Sequence, residues 1–284
     1  MTRVAVITDT VANLPEAVYR RYGVRVVPQI VIFGETSYRE GIDLTLEEFY
    51  RRLALADPLP ITSRPTPQSY LEAFEDASRE AEEVVVLTPS ARLSGAYDAA
   101  MTAAREWGGR ATIVDTKTAS IAQGFLVLEA ARVASTGASA AEVETRVRQL
   151  RPRVAMYAAV HTLRYLQRTG RVGRAAAAVG SLLQIKPIIT IGQDGVVDTA
   201  DRVRSWGRAL ERLVELIASE RPAMSSGRLH VGVMHAEARD DGQAVLERIE
   251  ERFPIVERYF GYFTPAVATH TGPGLVGVSY WWET

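Results

Sequence analysis

Residues 84–104 constrain the fold more than any other stretch of this chain. They open with Val84-Val85-Val86-Leu87, a short β-branched apolar run of the kind that forms a strand buried on both faces. They close with Ala96-Tyr97-Asp98-Ala99-Ala100-Met101-Thr102-Ala103-Ala104, helix formers almost without a breaker. Between them runs Thr88-Pro89-Ser90-Ala91-Arg92-Leu93-Ser94-Gly95, small and hydroxylated, with Ser94 and Gly95 where the helix should begin. A helix start carries unpaired backbone N–H groups and the positive end of the dipole. A loop feeding from a parallel strand into such a start suits an anion. Ser94 can equally be a plain N-cap.

The rest of the chain repeats this strand-loop-helix alternation, which predicts an α/β fold with a parallel sheet covered by helices. Arg3 to Ile7 reads as a first strand. Asn13-Leu14-Pro15-Glu16 reads as a helix start with Asn13 as cap, and Gly23 as its end. Val24 to Phe33 is a second strand region. Thr45 and Glu48 have the spacing of a capping box. The segment Ile61-Thr62-Ser63-Arg64-Pro65-Thr66-Pro67 is held extended by its prolines and leads into a helix expected over 68–81. Later helices are expected over 120–136, 140–151, 203–219 and 238–252. Strands are expected over 111–115, 154–160, 182–191, 229–234, 255–260 and 278–281. Lys186-Pro187 places the 182–191 strand near an edge or bend, and Asp194-Gly195 signals a hairpin. Pro152 fits a domain boundary.

Composition narrows the function. The net charge of −1 leaves no electrostatic footprint for nucleic acid. The chain has no cysteine, which excludes disulfides, thiolate nucleophiles and cysteine-ligated zinc. The N-terminus enters a strand pattern directly, without a signal-peptide layout, so a cytoplasmic address is expected. Gly272-Pro273-Gly274-Leu275-Val276-Gly277 fits the dinucleotide pattern, but no helix or acidic residue can follow it at the required distance. Ser94 is not a nucleophile elbow, because Arg92 and Ala96 stand where that turn needs glycine. Asp9 follows a strand as a phosphatase aspartate would, yet Val11 occupies the place of the second acid. The four histidines have no zinc-ligand spacing. No catalytic residue set and no metal site are therefore expected.

Several segments, taken together and in order, resemble the DegV family of bacterial fatty-acid-binding proteins, the lipid-carrying subunits of fatty acid kinase. They are Thr8-Asp9-Thr10, Thr62-Ser63-Arg64-Pro65-Thr66, Ser90-Ala91-Arg92-Leu93-Ser94-Gly95, Gly170-Arg171, Lys186-Pro187, Arg204 and His270-Thr271-Gly272-Pro273-Gly274. The resemblance spans essentially the whole chain. Arg64 departs from it, standing where glutamine is common, as do Ala91, Arg92 and Ala96.

The resemblance implies two α/β domains. Residues 1–153 would hold a mainly parallel sheet flanked by helices and 154–284 a mixed sheet, with a fatty acid buried between them. It implies that Thr62, Ser63, Ser94, Gly95 and His270 bind the acid's carboxylate. Arg171, Arg204, Thr271 and Gly272 would lie near the head group or face the kinase. It further implies no cofactor beyond the bound long-chain acid, a fatty acid kinase catalytic subunit as partner, room for transient membrane contact, and a role in phospholipid metabolism without catalysis by this chain. Two other readings stay open: an acyl hydrolase using Ser94 and His270, and a small-polyol-binding module of related fold.

Overall fold

The computed structural model describes residues 2–181, 185–222 and 227–283. By packing, the chain divides into two units. One comprises Met1–Pro152 with Thr264–Thr269, the other Arg153–Phe263 with His270–Thr284.

The first unit holds, in chain order, β1 (Thr2–Asp9), a short 3-10 turn (Thr10–Ala12), α1 (Glu16–Tyr22), β2 (Arg25–Val27), β3 (Ile30–Phe33), β4 (Thr36–Arg39), α2 (Leu46–Leu53), β5 (Ile61–Ser63), α3 (Pro67–Ser78), β6 (Ala81–Thr88), α4 (Ala96–Trp107), β7 (Ala111–Asp115), α5 (Ser120–Ser135) and α6 (Ala140–Leu150). Four strands form a parallel sheet in the order β2-β1-β6-β7. The valine run of β6 lies at its centre and is fully buried, because both faces are covered. Helices α3 and α4 pack on the face carrying Ala5, Ile7, Val84 and Val86, while α5 packs on β1 and α6 along β6. A small antiparallel sheet, β4-β3-β5, completes the unit.

Helix α5 has no polar stripe. Twelve of its sixteen residues are buried, as expected of a helix enclosed on all sides. Gly124 is the reason it can sit so close to the turn after β1: a Cβ there would lie 2.5 Å from the Ala12 carbonyl oxygen.

Several expectations are corrected. The 24–33 region is two strands in different sheets, broken where Pro28 removes a backbone donor. Asn13 is not a helix N-cap. It closes the 3-10 turn with φ 58°, a conformation Asn tolerates, and Pro15 takes the N-cap of α1. Thr45 does cap α2, but Glu48 turns to Arg51 and Arg52 instead of completing the box. The reciprocal box forms at Ser139 and Glu142. The helix expected to reach Ala81 stops at Ser78, and Ala81 already pairs with Thr2 as the first residue of β6.

The second unit holds β8 (Ala155–Ala159), α7 (Arg164–Arg168), a 3-10 segment (Gly173–Ser181), β9 (Lys186–Ile191), β10 (Val197–Val203), α8 (Trp206–Ser219), β11 (Leu229–His235), α9 (Arg239–Arg252), β12 (Ile255–Tyr262) and β13 (Val276–Trp282). Helix α10 (Pro265–Thr271) runs across the division just given. Six strands form a mixed sheet in the order β10-β9-β8-β13-β11-β12, in which only β11 and β12 are parallel. Helices α8 and α9 bury Leu213, Ile217, Val245 and Ile249 against Val231, Val233 and Val278.

Residues 182–184 of the expected 182–191 strand lie outside the described residues. Strand β9 is next to the edge strand, and its pairing with β8 begins at Ile188, so the missing N–H of Pro187 interrupts no ladder there. The helix expected from Val203 starts at Trp206. Val203 instead ends β10, and the Ser205 side chain caps α8. Two α/β units, one with a parallel sheet flanked by helices and one with a mixed sheet, are thus what the sequence pattern builds. Among the described residues no helix is long and apolar enough to cross a membrane.

Candidate functional site

In the first unit the parallel strands β1, β6 and β7 all deliver their C-terminal ends to one edge of the sheet, where open α/β sheets bind their ligands. The loops there are tied to each other. The Ser90 N–H donates to the Thr118 carbonyl at 2.8 Å, and the Thr116 hydroxyl donates to the Thr88 carbonyl at 2.8 Å. The Asp115 carboxylate accepts the N–H groups of Ala91 and Lys117 at 3.2 and 2.8 Å. The buried Arg151 donates to the carbonyls of Thr116 and Lys117 at 2.6 and 2.7 Å. The loop from Thr88 to Gly95 is therefore a fixed platform.

Ser94 is half-buried on that platform. It is not the N-cap of α4; Gly95 is. The Ser94 hydroxyl oxygen accepts the Ala96 N–H at 3.2 Å, and its own N–H donates to the Ser90 carbonyl at 3.0 Å. Thr62 is half-buried in β5, opposite Val31, and Ser63 is exposed beside it. Arg64 joins these two segments. A Cβ on Gly95 would stand 2.7 Å from Arg64 Cδ and 2.9 Å from its Nη1, so the Arg64 side chain lies against the Ser94–Gly95 turn. The Arg64 side chain reaches from one hydroxyl segment to the other, which the sequence holds about thirty residues apart.

Two acids stand near this edge: Asp9, visible in the sequence as a strand-end acid, and Glu40, which carries no sequence signal. Asp9 and Glu40 are both buried, and among the described residues no cation pairs with either. Asp9 Oδ1 accepts the Val11 N–H at 3.0 Å and the Gln123 amide at 3.4 Å, and Gln29 and Tyr70 also face it. Glu40 Oε2 accepts the Thr10 hydroxyl at 2.7 Å; Thr10 Oγ1 in turn accepts the Gln29 N–H at 3.1 Å. Glu40 also lies against Thr264 and the Ala266 N–H at the start of α10. Burial pushes both carboxyls up to about 7, against the pull of these hydrogen bonds, and for Glu40 the charge of Asp9 adds to the rise. Asp9 was legible as a strand-end acid, but nothing local marks Glu40 as its neighbour.

In the second unit His270 sits on the last turn of α10, followed by Thr271 and Gly272. Burial, and then the positive charges of Arg171 and Arg168, lower its pKa to about 4. At neutral pH it is a neutral hydrogen-bonding group. Arg171 is anchored by its N–H to the Leu166 carbonyl at 2.8 Å and by its guanidinium to the Thr169 carbonyl at 2.5 Å. Gly272 turns the chain with φ 78°, and a Cβ there would meet the Tyr165 ring at 2.4 Å. Both reasons require glycine. Arg204 stands exposed on the connection between β10 and α8, outside the helix in which the sequence pattern had put it. A feature with no sequence signal is the stack of His161 on Trp206, with centroids 3.9 Å apart, whose indole N–H donates to Asp241 at 2.8 Å. Among the described residues no group of three or more His, Cys, Asp and Glu side chains could hold a metal ion.

Comparison with known proteins matches residues 3–283 to the family model described as uncharacterised protein, DegV family. A DegV domain-containing protein of Halalkalibacterium halodurans is 34% identical, with 100% of both chains covered. Among solved structures, one reporting fatty acid binding of a DegV family protein from Thermus thermophilus is 32% identical with a TM-score of 0.91, covering 99% of each chain. The structure of DegV, a fatty acid binding protein from Bacillus subtilis, is 27% identical with a TM-score of 0.91, covering 100% of each.

Proposed function

We propose, from the premise that this chain belongs to the DegV family, that it binds one long-chain fatty acid and presents the carboxylate to a separate ATP-dependent kinase. The observation that carries this reading is the end-to-end similarity to a fatty-acid-binding DegV protein at 32% identity. Thr62, Ser63, Ser94, Gly95 and His270 take the carboxylate in this reading. Arg171, Arg204, Thr271 and Gly272 surround the head group or face the kinase. The chain itself catalyses nothing; it carries its lipid in the cytoplasm, with transient membrane contact to load or deliver it.

Physical chemistry supports this division of labour. A carboxylate withdrawn from water must be hydrogen-bonded, and hydroxyls on a fixed platform supply donors without reorganising. A neutral His270 keeps one ring N–H that can donate to the carboxylate. Each hydrogen bond to a charged group contributes about 1.5–3 kcal/mol. Ser94→Ala and Thr62→Ala should therefore each weaken palmitate binding roughly tenfold to a hundredfold, with little change in unfolding, because neither side chain is fully buried. Calorimetric titration of both variants tests the assignment. Wild-type affinity in both would remove Thr62 and Ser94 from the head-group site.

A further inference from the structure

Arg64 is the residue that joins the two hydroxyl segments, and nothing so far has given it a task. Its side chain lies across Gly95, with Cδ, Nη1 and Nε at 2.7, 2.9 and 3.5 Å from where a Cβ would stand. The segment carrying it is stiff: Pro65 is buried and holds the preceding residue extended. Many arginines of this chain are matched to carboxylates, as Arg25 is to Asp76 and Glu80, and Arg174 to Asp194 and Asp198. Among the described residues Arg64 has no such partner. An arginine has five N–H donors in a planar fork that fits a carboxylate edge to edge. This one, exposed to solvent, lies beside the Ser94 turn with its fork uncommitted among the described residues.

We propose that Arg64 is a specificity-determining residue of the head-group site: its guanidinium pairs with the ionised carboxylate and selects acids over neutral lipids with the same tail. The inference rests on the fatty-acid reading above and adds a residue to it. Thr62 and Ser94 can hydrogen-bond an ester or an alcohol as well as an acid. A neighbouring cation distinguishes them by charge, through charge-assisted paired bonds.

The test uses the full chain with palmitate, methyl palmitate and hexadecanol as probes, comparing wild type with Arg64→Gln and Arg64→Lys. Arg64→Gln should weaken palmitate about tenfold, an effect moderated by the exposure of the side chain, and leave methyl palmitate and hexadecanol within about twofold. Arg64→Lys, which keeps the charge and loses the fork, should fall between. Added salt should weaken palmitate binding more in wild type than in Arg64→Gln. Palmitate binding that is unchanged in Arg64→Gln, with the same salt dependence, would overturn this inference alone. A wild type that binds none of the three probes would overturn the fatty-acid reading and this inference with it.

Discussion

Octanoate should bind at least about a thousandfold more weakly than palmitate. Each methylene moved from water into an apolar surrounding gains about 0.8 kcal/mol. Eight fewer methylenes therefore remove about 6 kcal/mol, and about 1.4 kcal/mol is a factor of ten. Ordering a longer tail opposes part of that gain, which brings the expected ratio to about three decades or more. The head group is the same in both acids, so Thr62, Ser94 and Arg64 contribute equally and cancel. Competition of a series from C8 to C18 against a fluorescent long-chain acid measures the ratio. A site that reads only the head group, or one built for a small polyol, would bind C8 and C16 within tenfold of each other.

The first unit should lose stability as pH rises from 5 to 8, and Glu40→Gln should remove a large part of that loss. The Glu40 carboxyl is raised by burial from its ordinary 4.5 to about 7. The folded state therefore holds this proton more tightly than the unfolded chain does. The resulting stabilisation is complete below the unfolded value and is lost as pH passes through the folded one. At about 1.4 kcal/mol per pKa unit, the change is roughly 3 kcal/mol for Glu40. Asp9, raised from 3.8 to about 7, acts in the same direction. Hydrogen exchange of the β1 and β6 amides, which report on the core of that sheet, would follow it. Relative to wild type, Glu40→Gln should gain roughly 3 kcal/mol of protection between pH 5 and pH 8. A wild-type profile that is flat, or that rises over this range, would mean the two acids ionise without cost and are not the desolvated pair described above.

What could be read from the chain was what short-range pattern controls. The valine run of β6 announced a strand buried on both faces, and Asp194-Gly195 announced the hairpin between β9 and β10. The misses at the site have a common cause, which is tertiary proximity. Asp9 and Glu40 lie 31 positions apart and meet through Thr10 and Gln29. Arg64 and Gly95 are equally far apart, and neither carries a local signal of the other. Helix α10 was missed for a local reason: seven residues opened by Pro265 and closed before Gly272-Pro273-Gly274 read as loop. Serine is a favoured cap, which makes Ser94 one candidate for that place, yet the turn passes it to Gly95 and leaves Ser94 one position outside the helix. The roles given to Thr62, Ser94 and His270 came from family resemblance. Spacing alone had left Ser94 as an anion-binding candidate or a plain cap, and had left His270 without an assigned role.

Mass spectrometry of an organic extract from protein purified without added lipid decides whether this chain carries a fatty acid. Close to one equivalent of C14–C18 fatty acid per chain is expected, retained through purification by its tail. Well-folded protein that yields no fatty acid, and that takes up neither palmitate nor oleate when they are added, would contradict the fatty-acid reading.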